Sequence, residues 1–288
     1  MNTLKPKQSG FTLIELMISL SLGLVIMLAA FQLFVTNQMG FNLQRGMGDV
    51  QENGRFALDY ISYNTRSAEY NLKSAGLSAQ DISGIIMVAA ASPAGVGLVS
   101  CNDCVTLGID KSDQLVVRQA VSLAINDFRD CEGNSVPKSA TGNVMYVLSR
   151  YFVRADTASN SSAALACDAG YYEEGAVAVT NFGDGGVVLL SNIDSFQVQY
   201  GIAAVGAAAG ARFPVRYVTA ATYTAIVTPP IISAVRLAIL VRSSETVGQD
   251  IGTPPDIKIL DKTISGSALA DKRVHRLFST TLALRNAF

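Results

Sequence analysis

Hydrophobic positions along the chain fall into three regimes. From Leu16 to Val35 they run almost unbroken for 20 residues. An α-helix extends that length over roughly 30 Å at about 1.5 Å per residue, one hydrocarbon thickness. The second regime has helical spacing: Leu58, Ile61, Ala68 and Leu72 share one face, with Thr65 interrupting the stripe. Gly40, Gly46, Gly48 and Gly54 precede it, and each costs about 1 kcal/mol relative to alanine inside a helix. The pattern therefore predicts a helix that continues past the apolar run, weak or locally unwound at the glycines, and stopping near Gly76.

The third regime favours strands. Asp113–Val121, Asn143–Val153, Gly186–Ser191, Asp194–Ile202, Ala234–Ser243 and His275–Leu284 are rich in β-branched and aromatic residues. In the last, Phe278, Thr280, Leu282 and Leu284 alternate onto one face. Several strands after one long helix, without a βαβ rhythm, predict an α+β fold with mainly antiparallel sheet. Between them, Ala203–Arg212 and Ile226–Ile232 bracket a segment that reads as a loop excursion.

One acid breaks the first regime. Glu15 stands at the entrance of the apolar run, and Lys5 and Lys7 precede it. A lysine-first order keeps the N-terminus cytoplasmic and sends the rest of the chain outward. A cleaved secretory signal would need a small residue where Leu28-Ala29-Ala30-Phe31 offers leucine. A carboxylate in lipid costs about 2.5–3.5 kcal/mol and calls for a positive partner. No lysine or arginine is near enough along the helix to serve.

The stretch Gly10–Leu20, GFTLIELMISL, after a short basic leader, resembles the prepilin signature of type IV pilins and type II secretion pseudopilins. The resemblance implies cleavage by a prepilin peptidase between Gly10 and Phe11 and N-methylation of Phe11. It also implies a role for Glu15 as an assembly contact that pairs with the terminal amine of a neighbouring subunit. Further along, GRFALDYISYNTRSAEY, DKSDQLVVR, DSFQVQYGI and LFSTTLALRN occur in an order similar to the PilW family of minor pilins, whose secretion relatives are GspJ-type pseudopilins.

That likeness divides the chain into a leader (1–10), a membrane-spanning and filament-core helix (11–38), a continuing amphipathic helix (39–76) and a β-rich head (77–288). It implies a type IV pilin-like fold, and a subunit that helps to initiate pilus assembly at or near the tip, serving twitching motility. A GspJ-like pseudopilin of a secretion system is the alternative. Implied partners are other minor pilins, the major pilin, the prepilin peptidase and the inner-membrane assembly platform, with a tip adhesin as a further candidate. The protein would sit in the inner membrane with a periplasmic head before assembly, and at the cell surface afterwards.

Composition changes the picture little. The formal net charge is −1 over 288 residues. Loss of the leader lysines would leave 20 basic against 23 acidic side chains, a balance that gives no support for nucleic-acid binding. The four cysteines, Cys101, Cys104, Cys131 and Cys167, allow three pairings and lack the second close pair of a structural zinc site. Cys101-Asn-Asp-Cys104 also lacks the βαβ setting of a redox-active pair. Structural disulfides suit an exported head. Local closure favours Cys101–Cys104 and leaves Cys131–Cys167, and the resemblance implies the same pairing.

No cofactor, metal or catalytic set is expected. The single histidine, His275, lies in a strand without a nucleophile or base at a recognised spacing. Glu173 and Glu174 read as solvated neighbours on opposite strand faces. Asn181–Gly186 reads as a turn, and Asp110–Asp113 as a turn with oxygens of the kind that calcium takes.

Overall fold

Leu13–Arg66 forms one uninterrupted α-helix, α1, of 54 residues in a computed structural model. The structure describes residues 10–68, 84–87, 98–105, 109–121, 127–156, 162–176, 178–204, 213–247 and 252–284. Everything from Gly10 to Phe34 is exposed, and the side that becomes buried begins only at Gly46.

The helix runs straight through all four glycines, contrary to the expected unwinding. Two of them are contact points. A Cβ at Gly46 would lie 3.2 Å from the Ser243 Cβ, and one at Gly54 would overlap the Phe278 ring. The buried stripe is thus Gly46, Val50, Gly54, Ala57, Leu58, Ile61, Ser62 and Thr65. Close approach of helix and sheet offsets the entropic cost of glycine. Gly40 and Gly48, by contrast, meet open space. Thr65, read as an interruption, is fully buried. The helix ends at Arg66, with Ser67 as its C-cap; Leu72 and Gly76 lie outside the described residues.

Two antiparallel sheets complete the head. One runs β1 (Cys101–Val105), β2 (Ser112–Val121), β3 (Met145–Asp156), β4 (Ser162–Glu173) and β5 (Val187–Ser191) in spatial order. The other orders its strands β11 (His275–Ala283), β8 (Ile232–Arg242), β6 (Ile193–Ile202) and β7 (Arg216–Val218). A small hairpin, β9 (Ile257–Ile259) and β10 (Lys262–Ile264), packs Ile259 and Ile264 on the β8 residues Ala238 and Leu240. The segment read as a loop excursion carries β7 and the one-turn helix α2 (Ala220–Thr224); residues 205–212 lie outside the described ones.

One apolar core joins helix and both sheets, with Ile61, Leu115, Leu165, Phe196, Leu237 and Leu282 among its buried members. The sheets are also sewn together by polar groups. β7 is short, and the Phe196 and Val198 N–H groups of β6 donate to Ser112 Oγ (3.3 Å) and Asp113 Oδ2 (2.8 Å) at the start of β2. Buried backbone donors need such partners.

Candidate assembly interface and the framework of the head

The exposed end of α1 is built from Thr12. Its extended backbone makes it the N-cap, and its Oγ1 accepts the Glu15 N–H at 3.4 Å. Glu15 is the third helical residue and is solvent-exposed. Thr12 and Glu15 have the spacing of a capping box, a signal that the sequence reading left unused. A carboxylate in the first turn also suits the positive end of the helix macrodipole. Among the described residues no lysine or arginine lies within ion-pair distance of it. Phe11, just outside the helix, is 84% exposed. Behind this cap, Leu13 to Phe34 presents apolar side chains all round, and α1 is long and apolar enough to cross a membrane.

Residues 5–31, which hold this cap, match the family model described as a prokaryotic N-terminal methylation motif. Residues 150–286 match the model described as type IV pilus-assembly protein W. Over just under half of its length the chain is thus similar to the PilW family. A type IV-like pilin from Thermus thermophilus aligns over 66% of this chain and 84% of its own length, at 16% identity and a TM-score of 0.32. No curated protein gives a significant match.

The region similar to PilW begins in β3 and takes in β4 to β11, so it contains one half of the head's longer disulfide. Cys131, in the loop before β3, is bonded to Cys167 in the middle of β4, with Cα atoms 6.2 Å apart. The backbone carbonyl of Cys131 accepts the Tyr60 hydroxyl of α1 at 3.1 Å. The second bridge, Cys101–Cys104, closes a bulge within β1, where Asp103 takes a positive φ of 55°.

Asp110–Asp113 supplies oxygens, and a side chain uses them. The Lys262 ammonium meets Asp103 Oδ1 and the Lys111 carbonyl at 2.5 Å each and Asp110 Oδ2 at 3.4 Å. Asp113 faces inward, 1% exposed. Besides the Val198 N–H it accepts the Asn102 amide (2.9 Å) and the Asp103 N–H (2.8 Å). Burial raises its pKa to about 6 against those three donors, which favour the charged form.

Three further groups have structural partners. Glu132, Asp168 and Asp184 converge, and the Arg150 guanidinium enters among them, 3.0 Å from Asp168 Oδ2 and 2.6 Å from the Asp184 carbonyl. Burial raises the Asp168 carboxyl, and Arg150 opposes that shift. His275 lies between Asp194 Oδ2 (3.3 Å) and Asp271 Oδ1 (3.7 Å), with Arg242 on the other oxygen of Asp194. Glu173 ends β4 and accepts hydroxyls from Ser139 and Thr141, while Glu174 sits in the turn beyond. The two are therefore not strand neighbours on opposite faces. Asn181 and Gly183 have positive φ, as a turn requires.

Proposed function

We propose that this protein is a minor type IV pilin that helps to prime pilus assembly and sits at or near the tip, together with other minor pilins. The observation that carries this reading is the sharp division of α1. Apart from Glu15, its first 22 helical residues, Leu13 to Phe34, are bare and uncharged, whereas its far half is fixed into a bulky two-sheet head. The bare part suits a bundle of like helices. A bulky head of two sheets suits an end position better than a closely repeated shaft.

In this reading a prepilin peptidase cuts after Gly10, Phe11 becomes the N-methylated terminus, and the apolar helix anchors the subunit in the inner membrane with the head outside. Glu15 then accepts the terminal amine of a neighbour at the moment of joining, which removes an uncompensated charge from an apolar setting. The major pilin, other minor pilins, the assembly platform and a tip adhesin are the partners that fit.

Subunit stoichiometry in sheared pili, with pilus counts in a deletion strain, tests the role. A few copies per filament and loss of surface pili are expected. Abundance equal to that of the main pilin, or unchanged piliation without the protein, would exclude it.

A further inference from the structure

We infer that the Cys101–Cys104 bridge is a redox-operated clasp: a dithiol opens it ahead of Cys131–Cys167 and thereby loosens the seam between the two sheets. The four-residue loop that it closes is the bulge of β1, which pairs with β2 at its two ends, Cys101 with Gln114 and Val105 with Ser112. Both residues inside the loop turn a donor toward one buried carboxylate. The Asn102 amide and the Asp103 N–H donate to Asp113 Oδ1 at 2.9 and 2.8 Å. The other oxygen, Oδ2, accepts the Val198 N–H of β6 at 2.8 Å, across the junction of the sheets. The loop also reaches the β9–β10 hairpin, because Lys262 of β10 pairs with Asp103 Oδ1.

Closing so short a loop removes little entropy from the unfolded chain, so the bridge acts by shaping the loop. Asp103 has a φ of 55°, a left-handed conformation uncommon for a residue with a side chain. The bridge holds that turn, which aims the Asp103 N–H at Asp113 while its carboxylate meets Lys262. With the bridge open, the turn can relax to an ordinary φ. Asp113 then loses two of the three donors named above, and a buried acceptor short of partners is costly.

Access separates the two disulfides. Asp103 and Cys104 are exposed and Cys101 is half-buried, whereas Cys131 is 7% exposed and Cys167 is fully buried. Thiol–disulfide exchange depends on such access. A thiolate of the dithiol attacks Cys104 Sγ and forms a mixed disulfide, while the Cys101 sulfur leaves as a thiolate and takes up a proton. The second thiol, as its thiolate, then attacks its partner sulfur in the mixed disulfide, and Cys104 leaves in the same way. Two electrons and two protons pass to the bridge, and the dithiol ends as a disulfide.

The test exposes the full-length protein in detergent micelles to graded dithiothreitol, traps free thiols with iodoacetamide and assigns them by peptide mass spectrometry. Cys101 and Cys104 should be alkylated at a dithiothreitol concentration at least tenfold below that needed for Cys131 and Cys167. At the lower concentration, hydrogen exchange should speed up at least fivefold in the peptides that hold Asp103 and Val198, and stay unchanged in those from β11. The Cys101→Ser/Cys104→Ser variant should exchange at the faster rate without reductant and show no further change when it is added. Alkylation of all four cysteines together, or of Cys131 and Cys167 first, would overturn the clasp. Unchanged exchange at Asp103 and Val198, in the opened protein or in the variant, would overturn it as well and leave the bridge a plain staple.

Discussion

Gly54 lies against the ring of Phe278 with no room for a methyl group between them. Together with Gly46 against Ser243, that approach sets how close α1 sits to the β11–β8 side of its sheet. Gly54→Ala should therefore destabilise the head by about 1–3 kcal/mol, the range for overpacked cores. At Gly48, where a Cβ meets nothing within 4 Å, alanine should stabilise by up to about 1 kcal/mol. Denaturant midpoints of the two variants in detergent separate these outcomes. Equal shifts would mean that the contact is not what holds the helix down.

Loss of the two disulfides should differ in cost. The Cys131–Cys167 bridge joins residues 36 apart and Cys101–Cys104 residues 3 apart. The chain-entropy relation gives about 4 kcal/mol for the first and about 1.6 kcal/mol for the second. Serine pairs at each site, compared by thermal unfolding, should keep that order.

Asp113 gives the head a pH dependence of definite sign. Its folded pKa is raised from 3.8 to about 6, so the folded state binds its proton more tightly than the unfolded chain does. The stabilisation is full below about pH 3.8 and is lost as pH rises through about 6. At about 1.36 kcal/mol per unit, the difference of roughly 2.2 units amounts to some 3 kcal/mol. From pH 4 to 7 the urea midpoint of wild type should fall relative to that of Asp113→Asn, which does not titrate at this position. A wild type that gains on the variant as pH rises would contradict the raised carboxyl.

How much of this was legible in the sequence follows from side-chain chemistry. The strands that carry Val, Ile, Phe and Tyr, such as β6 and β8, announce themselves because such side chains suit a pleated, half-buried surface. β4 does not, although it lies between β3 and β5. Its buried Ala163, Ala164, Ala166 and Ala169 have weak strand preference, and tight packing selects them instead. The same physics hid the seating of α1. A glycine in a helix signals a cost when read alone, and only the Phe278 ring shows what offsets it. Thr12 gives a fainter signal than Glu15, because a capping hydroxyl beside an apolar run is ordinary in composition and shows only through its spacing to the acid.

Processing has a direct signature. Mass spectrometry of the protein from cells with active prepilin peptidase should find N-methyl-Phe11 at its start, and an intact Met1 there would end that part of the proposal.

Glu15→Gln and Glu15→Ala separate charge from capping. Both remove the carboxylate, but glutamine keeps a group able to complete the capping box with Thr12. If Glu15 acts by pairing with a neighbour's amine, both variants should join the assembly complex poorly while inserting normally and keeping a folded head. Recovery of assembly by glutamine would assign Glu15 to helix capping.

The hydrogen bond from Tyr60 to the Cys131 carbonyl gives α1 a second hold on the head, separate from its contact with Phe278. From Cys131 the covalent bridge leads into the centre of β4. Tension drawn along the helix would thus divide between two load paths, one spread over packed side chains and one that ends in a covalent bond. Reduction of that bond would cut the second path, a loss felt under traction in addition to its cost in resting stability.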